Sequence, residues 1–154
     1  MKPKILIYSD GAYSRLRNVG GYAFIIQYLV FNTEHELYEL KKESNFSQEV
    51  ISTTNNRMEL QGVIDALNFL KKPFDNIEII SDSTYVVDSV NKWVTTFIKD
   101  PKRLNHDLMV ELHLAMKKHT NIKARWVRGH STDLINHRVN ELAQKAAGTW
   151  KGKT

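Results

Sequence analysis

A chain of 154 residues, 42% hydrophobic and 25% charged, suits one compact domain with a core of its own and leaves little room for two. With no cysteine there are no disulfides, thiolate zinc sites, iron–sulfur clusters or cysteine nucleophile, so any metal would sit on oxygen or imidazole. A formal charge of +5 favours a polyanionic partner without deciding for one.

The N-terminal MKPKILIYSD meets an aspartate too early for a signal peptide, and no apolar run approaches the ~18 residues of a membrane span. The chain therefore reads as soluble, unexported and cytoplasmic. KILIYSD (4–10) is almost continuously apolar in its middle, as a strand covered on both faces should be. GGYAFIIQYLVFN (20–32) is rich in aromatic and β-branched residues and predicts a long strand, while ELYELKKES (36–44) predicts a short, charged edge strand beside it. From TTNNRMEL the period becomes helical through Glu59, Val63, Ala66, Leu67 and Leu70. Thr53 to Asn56 supply cap candidates, and Pro73 closes the segment. NIEIISD (76–82) predicts a second central strand. STYVVDSVNKWV predicts a short helix, 106–119 a longer one, 121–127 a strand, and Ile135 to Ala146 a terminal helix. The order βββαβα(α)βα predicts an α/β domain with a mixed sheet and helices on its faces.

Two strand-like segments, IYSDGAY (7–13) and IISDSTY (79–85), each run into a Ser-Asp pair. Ligands collect beyond the carboxyl ends of central strands in open α/β sheets, so Asp10 and Asp82 are expected to face one crevice. Glu59 falls on the apolar stripe of its helix, where an unpartnered carboxylate would cost several kcal/mol. A divalent cation among three carboxylates would offset that cost, and an oxygen-only set suits Mg²⁺ or Mn²⁺. Taken singly, each aspartate could instead be a turn or helix cap, and Glu59 could answer only to the helix dipole.

YSDGAY, GGYAF, TTNNRMEL, ISDSTYVV, KARWVRGHS and NHRVNELAQKAA together resemble the type 1 ribonuclease H (ribonuclease HI) family, in its order and at roughly its spacings, across nearly the whole chain. The resemblance implies a single ribonuclease H domain over 1–154. Its fold would be a five-stranded mixed sheet, three strands in an antiparallel meander and two parallel, flanked by helices. It also implies a monomer that binds two Mg²⁺ ions, with Mn²⁺ able to substitute. The implied activity is cleavage of the RNA strand of RNA/DNA hybrids, leaving 5′-phosphate and 3′-hydroxyl ends. Carried over by position, Asp10, Glu59 and Asp82 resemble three of the family's four metal-binding carboxylates, with Asp10 bridging both ions, and His130 resembles its mobile-loop histidine.

The fourth position departs, since RVNELA places Asn140 where the family has aspartate. Asparagine keeps an oxygen ligand but loses the charge, so cleavage is expected to be attenuated or lost. Glu141, about 100° around the helix, is a poor substitute. A deliberate replacement that traps an intact substrate complex and a natural variant both remain open, as does a non-catalytic hybrid-binding module on the same fold.

For the substrate, the resemblance places Gly11, Ala12, Tyr13, Asn55, Asn56 and Thr84 where a minor groove is read through 2′-hydroxyls, with Thr84 standing in for the commoner glutamine. Thr54, Arg57 and Asn105 resemble a phosphate-holding set, and Trp93 resembles an aromatic that lines the DNA channel, although a core tryptophan would fit that apolar segment equally well. The stretch from Trp93 to Asn105 is shorter than the basic protrusion of some relatives, and Arg15 and Arg17 offer phosphate contacts in the first turn.

Overall fold

The computed structural model describes residues 1–129 and 132–152. Strands β1 (Lys4–Ser14), β2 (Val19–Asn32), β3 (Leu37–Ile51), β4 (Ile77–Ser81) and β5 (Ile122–Trp126) form one sheet in the order β3-β2-β1-β4-β5. The first three make the antiparallel meander, and β4 and β5 run parallel to β1. The five-stranded mixed sheet expected from the sequence is thus present. Its helices are α1 (Asn55–Phe69), α2 (Thr84–Asp88), α3 (Val94–Phe97), α4 (His106–Met116) and α5 (Leu134–Ala147).

Alternation along the strands sends Ile5, Ile7 and Ile79 to one face, against Leu60, Ile64 and Leu67 of α1 and Leu112 of α4. Tyr8, Ile25 and Ile80 point to the other, against Val139 and Ala143 of α5. Burial on both faces, at about 1.5–3 kcal/mol for each fully buried aliphatic side chain, is why β1 and β4 read as unbroken apolar runs.

Two elements differ from expectation. β3 spans 15 residues rather than a short segment, because β2 offers a partner along its whole length, with one register shift at Tyr28/Leu29. Charged, exposed side chains do not prevent this, since an edge strand faces solvent in any case. The single short helix expected from Ser83 onward is α2, a π-helical turn at Ser89–Trp93, and α3. The widened turn keeps Val90 and Val94 buried while turning Asn91 onto the outer edge of β5. There the Asn91 amide donates to the Ala124 carbonyl at 2.9 Å and accepts from the Ala124 N–H at 2.9 Å, closing one residue of the open edge. Asn91→Ala should lower stability by about 1–2 kcal/mol through two lost hydrogen bonds, read from the urea midpoint. An unchanged midpoint would mean that water replaces the amide without loss.

Candidate metal centre

Parallel pairing of β1 with β4 ends at Tyr8 and Ile80, and β4 itself stops at Ser81, so Asp82 leaves the sheet at the strand's mouth. Asp10 was expected at a strand end too, but it pairs with Ala23 inside the β1–β2 ladder, four residues before β1 finishes. It reaches the crevice because its other neighbour, β4, has run out.

Two glycines bring the helices in. A Cβ on Gly11 would lie 2.7 Å from the Glu59 backbone nitrogen, so the bare glycine lets α1 sit on β1 and carries Glu59 beside Asp10. A Cβ on Gly21 would lie 2.4 Å from the Ala147 nitrogen, so α5 approaches β2 closely on the opposite face and presents Asn140. Thr54 caps α1 by accepting from the Arg57 N–H at 3.2 Å, and Asp133 caps α5 by accepting from the N–H groups of Ile135 and Asn136.

Carboxylate oxygens of Asp10, Glu59 and Asp82 all lie within 4.8 Å of one another. Asp10 is 2% exposed and Glu59 5%, while Asp82 is half-buried. Burial first, and the Asp82 charge second, push the Asp10 carboxyl up to about 7 against the opposing hydrogen bonds from Asn140 and Gly11. Glu59 is raised well above its usual range by burial and then by the charges of Asp10 and Asp82. Its Oε2 is buried without a hydrogen-bond partner. A cluster of hard oxygens with an unsatisfied buried atom fits a Mg²⁺-type ion, whose charge would reverse each of these penalties.

Asn140 joins this cluster as a donor, its Nδ2 standing 2.6 Å from Asp10 Oδ2. The Gly11 N–H donates to Asp10 Oδ1 at 2.9 Å. His130 lies outside the described residues. The sequence reading missed Trp126, whose Nε1–H donates to the Asp82 carbonyl at 3.0 Å and ties the end of β5 to that turn. The motif KARWV marks it only as a strand residue.

On the side towards α1, Thr54, Asn55, Asn56, Arg57 and Asn105 line a cleft of about 420 Å³ together with Leu104. Asn105 is buried in a left-handed backbone conformation (φ 64°), donates to the Tyr85 hydroxyl at 3.1 Å and accepts from Arg57 at 3.3 Å. Asp107, also missed, grips the Arg57 guanidinium through two hydrogen bonds of 2.9 and 2.7 Å, and that grip holds its own carboxyl down at about 2. Thr84 is exposed at the start of α2, and Gly11, Ala12 and Tyr13 are half-buried at the end of β1. Trp93 is partly buried, stacked on Phe97 with ring centroids 5.1 Å apart. Arg15 is exposed in the first turn, whereas Arg17 reaches the Gly148 carbonyl at the end of α5, at 3.5 Å.

Residues 2–148 match the family model described as RNase H. A ribonuclease H of Sulfurovum sp. (strain NBC37-1) is 35% identical over 147 residues, covering 95% of this chain and 92% of the relative. A ribonuclease HI of Campylobacter jejuni (serotype O:2, strain NCTC 11168) is 39% identical over 145 residues, covering 93% and 90%. Among solved structures, LC9-RNase H1, described as a type 1 RNase H with the type 2 active-site motif, superposes with a TM-score of 0.77 at 27% identity, covering 96% of this chain and 74% of that one. The N-terminal RNase H domain of a Mycobacterium tuberculosis protein shares the fold, with a TM-score of 0.67 at 20% identity and 94% of each chain covered. With a five-stranded sheet of this order and a family match over nearly its whole length, the chain belongs to the ribonuclease H family.

Proposed function

We propose that this protein hydrolyses the RNA strand of RNA/DNA hybrids, leaving 5′-phosphate and 3′-hydroxyl ends, with Asp10, Glu59 and Asp82 as metal ligands and Asn140 as a weaker fourth. The observation that carries this reading is the trio of carboxylates within 4.8 Å, two of them buried and held towards protonation. Divalent metal bound there, two Mg²⁺ in the full reading, would acidify the attacking water and neutralise the leaving 3′-oxygen.

The chain's own residues supply the geometry. Asp10 and Glu59 are fixed by burial against β1 and α1, so the ligand set is pre-organised. Trp126 holds the Asp82 backbone. Asn140 keeps Asp10 oriented but adds no charge, so activity is attenuated relative to an aspartate at 140. His130, matched to the family's histidine by sequence, would move the proton of the attacking water or assist product release. Gly11, Ala12, Tyr13, Asn55, Asn56 and Thr84 form the groove-reading surface, and Trp93 borders the DNA strand.

A second reading, a non-catalytic hybrid-binding module, draws on one observation: Asn140 turns a donor, not an acceptor, towards the carboxylates. Labelled RNA/DNA hybrid, with duplex RNA and duplex DNA as controls, separates the two. Mg²⁺-dependent cutting of the RNA strand alone supports the nuclease. Tight hybrid binding without cutting, in Mg²⁺ or Mn²⁺, supports the module.

Asp107 supplies a further prediction. Neutralising it as Asp107→Asn frees Arg57 for a DNA-strand phosphate, so hybrid binding should tighten and its logarithmic salt slope should steepen by about one. The exposed pair itself contributes no more than about 1 kcal/mol, so the urea midpoint should barely move. An unchanged slope in a binding titration across salt would remove Arg57 from the phosphate set.

A further inference from the structure

We propose that a polar recess beside Arg57, between the end of β3 and α1, binds an unpaired nucleobase with an exocyclic amine, adenine or cytosine, from a nucleotide whose phosphate lies on Arg57. This rests on the phosphate role proposed for Thr54, Arg57 and Asn105. The recess has a volume of about 370 Å³, and Arg57 lines both it and the neighbouring phosphate cleft. Its apolar lining is Val50, Met58 and Leu108, the last two buried. A base paired within the hybrid faces its RNA partner, so only an unpaired one can turn away from the helix into such a recess.

The polar side of the recess is fixed by its own hydrogen bonds. The hydroxyl of the buried Tyr22 donates to Asp65 Oδ2 and lies 3.3 Å from Gln48 Oε1. Gln61 Nε2 donates to Asp65 Oδ1 at 2.8 Å. Burial first, and the Asp65 hydrogen bond second, raise the Tyr22 hydroxyl above its ordinary value, so it stays a donor. Among the described residues Asp65 makes no ion pair, which leaves its charge open to further donors. Thr53, 7% exposed in the same lining, keeps its Oγ1 buried without a partner. A wall ordered in advance, with hydrogen-bonding capacity left over, suits a small polar ligand.

The unused groups select the occupant. With Tyr22 on its Oε1, Gln48 presents Nε2–H as a donor; with its Nε2 on Asp65, Gln61 presents Oε1 as an acceptor. Asp65 adds acceptor capacity, since each carboxylate oxygen takes a second hydrogen bond. Acceptors beside one donor match an exocyclic amine next to a ring nitrogen, the pattern that adenine and cytosine share. Thymine would set a carbonyl oxygen in place of the amine, against the Asp65 carboxylate. Met58 and Leu108 take the face of the ring, a contact that an abasic sugar lacks.

The test is fluorescence anisotropy in EDTA with labelled RNA/DNA hybrids, fully paired or with one extra unpaired dA, dC or dT at successive positions of the DNA strand. At one position the dA and dC hybrids should bind about tenfold more tightly than the dT hybrid, the discrimination that one bidentate contact to a base provides. Gln48→Met and Gln61→Met should each reduce that preference at least about threefold and leave binding and cleavage of the paired hybrid unchanged. Gln48 is exposed on the edge strand, so its replacement spares the fold. Competition by dAMP and by dTMP separates the two sources of the base. Displacement of paired hybrid by dAMP alone, lost in both variants and without any preference among the unpaired hybrids, assigns the recess to a free nucleotide. Equal binding of the three unpaired hybrids together with equal competition by dAMP and dTMP would overturn the proposal, as would a preference that both variants keep. Gln48 and Gln61 lie outside the carboxylate and phosphate sets, so this outcome stands apart from that of the nuclease assay.

Discussion

Asp10→Asn should lower metal-dependent hybrid cleavage on the order of 10³-fold while making the metal-free protein more stable at pH 8 by about 2–3 kcal/mol. The loss follows from removing the ligand that faces both Glu59 and Asp82, since the several kcal/mol of charge stabilisation supplied by bound metal correspond to about three decades in rate. The gain in stability follows from linkage. The unfolded chain releases the Asp10 proton near its ordinary value of 3.8, whereas the fold keeps it up to about 7. A raised folded value stabilises the native state in full below the lower figure, and that stabilisation is gone once the pH has risen past the upper one. The parent protein in EDTA should therefore weaken between pH 5 and pH 8, and Glu59, raised by the same burial, adds to the fall. The asparagine variant has no Asp10 proton to lose, so its profile is flatter by about 2–3 kcal/mol. Saturating Mg²⁺, which contributes ~2.7 kcal/mol at a hundred times its dissociation constant, should restore most of the parent's loss and much less of the variant's. Urea midpoints at the two pH values, with EDTA and with Mg²⁺, measure all of this. If parent and variant share one midpoint in EDTA at pH 8, the account of a strained, buried Asp10 fails.

The parts of this site that were legible in the sequence are those where a residue type conflicts with its surroundings. Asp10 and Asp82 interrupt apolar runs, and Glu59 sits on a buried helix stripe, so each stands out without any coordinates. The sheet was legible for a related reason: two-faced burial makes β1 and β4 continuously apolar, and the length of β2 shows in its aromatic and β-branched run. The far half of β3 was not, because an edge strand takes its structure from the partner's hydrogen bonds and leaves an exposed, polar sequence that resembles a loop. The π-helical turn was hidden too, since the Asn91 amide that it carries finds its partner in Ala124, 33 residues further along the chain. Asp107 and Trp126 act through an arginine fork and a backbone carbonyl contributed by other elements, and neither leaves a local trace. Arg17, read as a phosphate contact from its place in the first turn, also reaches the negative end of α5 in the fold, a contact that its local sequence does not announce.

Asn140→Asp should move two quantities in opposite directions, which separates its effect on metal from any general effect on the fold. In the parent, the Asn140 amide donates to Asp10 Oδ2 at 2.6 Å and partly offsets the penalty of that buried carboxylate. An aspartate in its place removes the donor and sets a fourth acid against the other three. Without metal the variant should therefore be less stable at pH 8 by about 1–3 kcal/mol, the usual cost of losing a hydrogen bond to a charged group and gaining a like charge. With metal the sign reverses, because a hard dication gains an anionic ligand where it had a neutral one. Half-saturation by Mg²⁺ should fall about tenfold, so that at Mg²⁺ well below the parent's requirement the variant cleaves hybrid about tenfold faster. The readouts are the Mg²⁺ dependence of single-turnover cleavage and the urea midpoint in EDTA. Identical metal dependence and identical rates would mean that the amide oxygen serves as well as a carboxylate, and that position 140 does not limit this enzyme. Lower stability without a gain in metal affinity would mean that Asn140 serves only to hold Asp10 in place, outside the ligand set.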